Sequence, residues 1–377
     1  MKPAPPAKRN ISKRRASSSR AATLALEFAA RLMRHPAAPF FESGPQAETL
    51  KICAEHDLPA DFDPFGNLLV RCAQRPATRP MVLAAHLDHP GFAIERRLGP
   101  KRFAALFNGG VPPKHFRPGT PVLLQPGDIP ARLGKRLAAG EKRYELVSQS
   151  GPANRPEFAV WDLVPFVQRK GRVHGRACDD LIGCAVTLAV LAEARARRLA
   201  VNLIGVLSRA EEVGFHGALT IAADARLPKD ALVVSLETSK ELPAGRMGEG
   251  VIVRVGDKGS VFGLAGTRFL SEVAAEMAAQ PGGFAFQRAL MGGGTCEATA
   301  YQEYGYSTAA VCVALGNYHN CAPGNRIAAE FVSAADMGHM ADLLLAAARA
   351  MPRFAALTGK LPRRLRHLLR QARKRLA

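Results

Sequence analysis

Four stretches of this sequence share one feature, and it narrows the folds open to the chain. Each is a short, unbroken run of apolar and β-branched residues that stops at groups able to carry charge. "PMVLAAHLDHPGF" stops at His86 and Asp88, and "LAVNLIGVLSRAEEVG" at Glu211 and Glu212. "DALVVSLETS" stops at Glu237 and "STAAVCVALGNYHN" at His319. Apolar runs without alternation suit strands covered on both faces, as in a sheet between helices. Residues 179–198, "DDLIGCAVTLAVLAEARARR", and 333–351, "SAADMGHMADLLLAAARAM", have apolar positions at helical spacing. Strands alternating with helices predict an α/β architecture.

Residues 95–170 break that rhythm. They are rich in Gly, Pro, Lys and Arg, with short strand-like pieces such as "TPVLLQ" and "FAVWDLV" and no long helical pattern. A structureless excursion of this length is uncommon in a compact domain. The expectation is an inserted, small β domain over 95–170, returning the chain to a discontinuous α/β domain made of 21–94 and 171–352. Residues 1–20 and 353–377 flank it as basic tails, the first expected to be disordered.

Charge supports that division. Residues 1–20 hold seven Lys/Arg and residues 353–377 hold nine, with no acid in either, so the two ends carry 16 of the formal +20. The positive charge therefore belongs to the ends and not to the body of the fold. "LRHLLRQARKRLA" has apolar residues at helical spacing, the pattern of a basic amphipathic helix. Contact of these ends with nucleic acid or a membrane surface is one reading and a solvated tail the other. No aromatic residues interleave there to stack on bases. The Arg- and Ser-rich beginning has a faint transit-peptide character but no continuous apolar core. The seven cysteines form no C-x-x-C pair, which points to a reducing compartment and a cytoplasmic location. No apolar run approaches the roughly 18 residues of a membrane span.

In open α/β sheets, ligands bind at the carboxyl ends of the strands. All four runs end there in His, Asp or Glu, and a fifth cluster, Asp179-Asp180, opens a helix. Asp at a helix start is often only a cap, but the five together need one explanation. Several buried carboxylates without partners are costly, and Arg209 is the one Lys/Arg within these strand ends. A pair of divalent cations would neutralise the cluster. Two imidazoles with several carboxylates suit Zn2+, Co2+ or Mn2+ better than Ca2+ or Mg2+. Two ions sharing a carboxylate can polarise a carbonyl and activate a water. Of the adjacent Glu211 and Glu212, one would ligate and its neighbour would act as general base.

The motifs "AAHLDHPGF", "GRACDDLIGCAV", "RAEEVGFHGA", "VSLET", "GGGTCEAT" and "NYHN" occur in an order and spacing that resembles the tetrahedral or deblocking (glutamyl) aminopeptidases. These belong to the co-catalytic dinuclear metallopeptidases, alongside carboxypeptidase and deacylase relatives, and the resemblance spans most of 45–350. It implies a mixed sheet flanked by helices, two divalent metal ions per subunit, a peptide substrate and a homo-oligomer built from dimers. It further implies that His86, Asp179 and Glu237 hold one ion and Asp179, Glu212 and His319 the other. Glu211 looks like the general base and Asp88 like the residue orienting His86.

Several positions depart from that family. His89 stands where a Glu is usual, Leu181 where an Arg is, Glu237 where an Asp is, and Cys296-Glu297 interrupt a Gly-Thr-Asp-Ala pattern. These departures keep a deacylase of N-acyl amino acids open as an alternative, and a non-catalytic binding protein as a third reading. Cys178 reads as a buried thiol at a helix start, and "GGGTC" as a flexible turn, since it lacks the Lys-Ser/Thr of a phosphate loop. His174, His216 and His339 fall outside the strand-end pattern.

Overall fold

A computed structural model describes residues 19–151 and 155–376. The four apolar runs form adjacent strands of a large sheet, in the order Asn202–Ser208, Met81–His86, Leu232–Lys240, Ser307–Gly316. All three pairings are parallel: Ser208 lies opposite His86, Leu232 opposite Met81, and Glu237 opposite Cys312. Four parallel neighbours present their carboxyl ends on one edge, so residues far apart in sequence must meet there. Leu68–Ala73 and Glu330–Ser333 pair antiparallel on the two sides, which makes the sheet mixed.

Strand alternation divides two cores. Leu83, Leu203, Leu207, Val234 and Leu236 face one layer with Phe28, Leu188, Phe269 and Leu344 from helices Arg20–Leu32, Cys178–Ala196, Leu264–Ala278 and Ala334–Ala350. Val82, Ile204, Val206 and Val233 face the other, with Ala218, Ile221 and Tyr301 from His216–Ala223 and Glu297–Glu303.

A closed six-stranded barrel is inserted after Met81–His86. It runs from Gly91–Gly99 to Phe158–Trp161 and is filled by aromatic rings, including Phe92 edge-on to Trp161 at 5.0 Å. The barrel starts four residues before the expected position 95, because Gly91–Gly99 already pairs with Arg102–Asn108 and, at Phe92 and Ala93, with Phe158–Trp161. Its last strand ends at Trp161; Phe166–Arg169, expected in the insert, pairs instead with Arg172–Gly175 in the large sheet. Within the basic C-terminal segment, Lys360–Leu376 forms the helix that its amphipathic pattern predicts, with no buried residue. The expectations for residues 1–18 lie outside the described residues. Among the described residues, no helix is long and apolar enough to cross a membrane.

Candidate metal centre

His86 closes its strand, and Glu211 and Glu212 follow Asn202–Ser208 in a short 3-10 turn. Glu237 lies in Leu232–Lys240, and His319 in the turn after Ser307–Gly316. Asp179 and Asp180 have non-helical backbone angles at the start of Cys178–Ala196. These elements bring every expected ligand into one buried cluster. His86 Nε2 lies 3.6 Å from Asp179 Oδ1 and 3.9 Å from Glu211 Oε2. His319 Nε2 lies 3.5 Å from Asp179 Oδ2 and 3.2 Å from Glu212 Oε1. Asp179 thus turns one oxygen toward each imidazole.

The donor atoms fall into two compact sets, His86 with Glu211 and Glu237, and Asp179 with Glu212 and His319, each within 4.8 Å. The first set includes Glu211, which the sequence motif assigned to proton transfer.

Backbone carbonyls fix both rings. His86 Nδ1 donates to Asp88 O at 3.1 Å, and His319 Nδ1 donates to Gly110 O at 3.1 Å. Each Nε2 therefore turns its lone pair inward, as a metal-ligating imidazole does. Among the described residues, Asp179 Oδ1, Glu212 Oε1 and Glu237 Oε1 are buried without a hydrogen-bond partner. Burial, with neighbouring carboxylates adding to it, pushes Glu211 well above the usual carboxylate range. Burial likewise pushes Glu237 up to about 8. Against the effect of burial, the surrounding carboxylates raise His86 and His319 well above the ordinary imidazole value. Without a cation, then, the cluster takes up protons. Unsatisfied carboxylate oxygens and two inward imidazoles fit divalent metal ions.

Residues 154–342 match the sequence profile of the M42 glutamyl aminopeptidases. The chain belongs to this family, and by that membership it is a metal-dependent aminopeptidase. Solved structures agree on the fold. An aminopeptidase from the archaeon Desulfurococcus kamchatkensis is 17% identical, over 89% of this chain and 98% of that one, with a TM-score of 0.72. The TET1 peptidase of Pyrococcus horikoshii is 18% identical, over 86% and 99%, with a TM-score of 0.71. A TET aminopeptidase from a marine sediment Thaumarchaeota archaeon is 16% identical, over 88% and 99%, with a TM-score of 0.72.

In this M42 peptidase, the supports around the cluster differ in part from the sequence expectation. Asp88 meets the His86 ring through its backbone carbonyl and, 3.6 Å from Nδ1, through its carboxylate, which also accepts from the N–H groups of Glu211, at 2.9 Å, and Glu212, at 3.1 Å. It touches the histidine and both glutamates. Arg209 is turned away from the cluster and pairs with buried Glu42 at 2.8 Å. Glu42 also accepts from the N–H of Ala210, whose left-handed backbone (φ 51°) aims the glutamate turn. His89, the unusual residue in its motif, places Nδ1 2.6 Å from the Asp179 carbonyl. Leu181 packs in the larger core.

Some residues were not anticipated. Glu330, buried in a four-residue strand, accepts from the Asp179 N–H at 3.1 Å. Arg254 and Lys240 line the wall of the cavity of ≈ 260 Å³ above the cluster, with Gly294, Cys296 and Tyr318. Glu297 accepts a hydrogen bond from the Ser208 hydroxyl, and burial pushes it up to about 7. Burial also raises the Cys178 and Cys296 thiols well above the ordinary value, which makes them poor nucleophiles. His174, His216 and His339 pack near Phe331, Phe40 and Phe284, away from the cluster.

Proposed function

We propose that this M42 peptidase removes residues from the free N-termini of peptides at a centre of two divalent cations, Zn2+, Co2+ or Mn2+. His86, Asp179 and Glu237 would hold one ion and Asp179, Glu212 and His319 the other. The observation that carries this reading is Asp179, whose two oxygens face two different imidazoles. When bound, such ions polarise the scissile carbonyl and make a water acidic enough to attack at neutral pH.

The chain's own groups supply the proton transfer. Glu211 takes a proton from the attacking water and delivers it to the leaving nitrogen as the C–N bond breaks. Asp88 keeps the Glu211 and Glu212 backbones in place through both carboxylate oxygens. The TET1 peptidase of Pyrococcus horikoshii assembles into a tetrahedron or octahedral shell, and a homo-oligomer is proposed here by analogy.

The test is hydrolysis of paired short peptides, one with a free N-terminus and one acetylated, by enzyme treated with chelator and then given Zn2+, Co2+ or Mn2+. Cleavage of the free peptide, lost on chelation and restored by metal, is expected. Faster cleavage of the acetylated peptide would instead place the protein with the deacylase relatives.

A further inference from the structure

The helix Lys360–Leu376 presents a surface that no other element among the described residues buries. Leu361, Leu365, Leu368, Leu369 and Leu376 are between 43% and 88% exposed. At 100° per residue they fall, with Ala372, in an arc of about 100°. Eight Lys/Arg residues and no acid occupy the rest of the same helix. Its first turn is anchored: Lys360 pairs with Glu272 at 2.8 Å and Glu276 at 3.0 Å on Leu264–Ala278. Beyond that anchor, the leucine stripe and the cations face outward together.

From this we propose that Lys360–Leu376 docks the enzyme on an anionic lipid surface, its leucines entering the headgroup boundary and its cations meeting lipid phosphates. An amphipathic helix with a strongly basic face lies in the plane of such a surface. At 17 residues it is about 25 Å long and too charged to cross. Charge complementarity selects the occupant. A second copy of the helix would bring eight like charges against eight. A nucleic acid would satisfy the cations but leave the leucines in water. An anionic bilayer satisfies both. The Arg20–Leu32 helix is tied through Ser19 to Asp342 of Ala334–Ala350, which packs against Leu264–Ala278. Six further Lys/Arg precede Ser19 in the sequence, and the helix Lys360–Leu376 contributes no residue to the metal cluster.

The experiment is flotation of the full chain, metal-loaded, with phosphatidylcholine vesicles that either contain or lack roughly 30% phosphatidylglycerol. Binding to the anionic vesicles only, abolished by about 0.5 M NaCl, is expected. The variant L365S/L368S/L369S, which keeps every charge, should bind the anionic vesicles at least about tenfold more weakly and hydrolyse peptide in solution at the unchanged rate. Equal binding of that variant and the parent would overturn the proposal, because charge alone would then account for it. So would tighter binding to duplex DNA than to vesicles, unaffected by the leucine changes. A fall in oligomer size by sedimentation velocity, in the leucine variant without lipid, would assign the stripe to a second copy and also overturn it.

Discussion

Asp179 lies between two imidazoles while Glu211, Glu212 and Glu237 crowd the same buried space, so charge balance requires protons or cations. That requirement sets the sign of a pH effect. Glu237, raised to about 8, and Glu211, raised well above its ordinary value, bind protons more readily folded than unfolded. Their contribution to the stability of metal-free protein is therefore full at acid pH and is lost as pH rises through their folded values. The raised histidines act in the same direction; the lowered Asp179 acts oppositely, but below its ordinary acid range. Metal takes the place of those protons. The rise in Tm when Zn2+ is restored to chelated protein should thus grow from about pH 5.5 to about pH 8.5 in thermal melts, and a constant or shrinking rise would oppose the account. Glu211→Gln keeps the size of the side chain but cannot accept the proton. It should lower kcat by about 10²- to 10⁴-fold while metal content by elemental analysis stays at the parental level. Loss of metal would make Glu211 a ligand instead, as its place beside His86 allows.

Among the elements, the four parallel strands do most to assemble the centre, and they were the most legible part of the sequence. Unbroken apolar runs ending in His, Asp or Glu report both burial and the edge where the chain emerges. The supporting residues carried no such mark. Arg254 sits within the apolar run "VIVRVG", where alternation alone would aim it outward, and Glu330 opens a strand of four residues. Gly110 lies in the loop after barrel strand Arg102–Asn108, and only folding brings its carbonyl to His319. A Cβ at Gly110 would stand 3.1 Å from both Cε1 and Nδ1 of that ring. Gly110→Ala should displace the imidazole and weaken metal binding by about 10- to 100-fold, the usual effect of disturbing a ligand's support. Competition with a chromogenic chelator measures it, and parental affinity would show that the ring has room to shift.

At the scale of the whole molecule, a mixed sheet between helical layers carries the centre at one edge, while the barrel insert supports it through Gly110. The α/β class was legible because short unbroken apolar runs take turns with longer stretches whose apolar residues fall at helical spacing. The start of the barrel was misplaced because only four residues, Leu87–Pro90, separate Met81–His86 from Gly91–Gly99, so no linker marks the boundary. The helix Lys360–Leu376 was legible as an amphipathic pattern, but its lack of internal partners required the structure. The central claim, two ions sharing Asp179, is tested most directly by anomalous diffraction from crystals of metal-restored protein. Two peaks about 3.5–4 Å apart, one on each oxygen of Asp179, are the predicted result. A single peak, or two peaks with Asp179 bound to neither or only one, would contradict it.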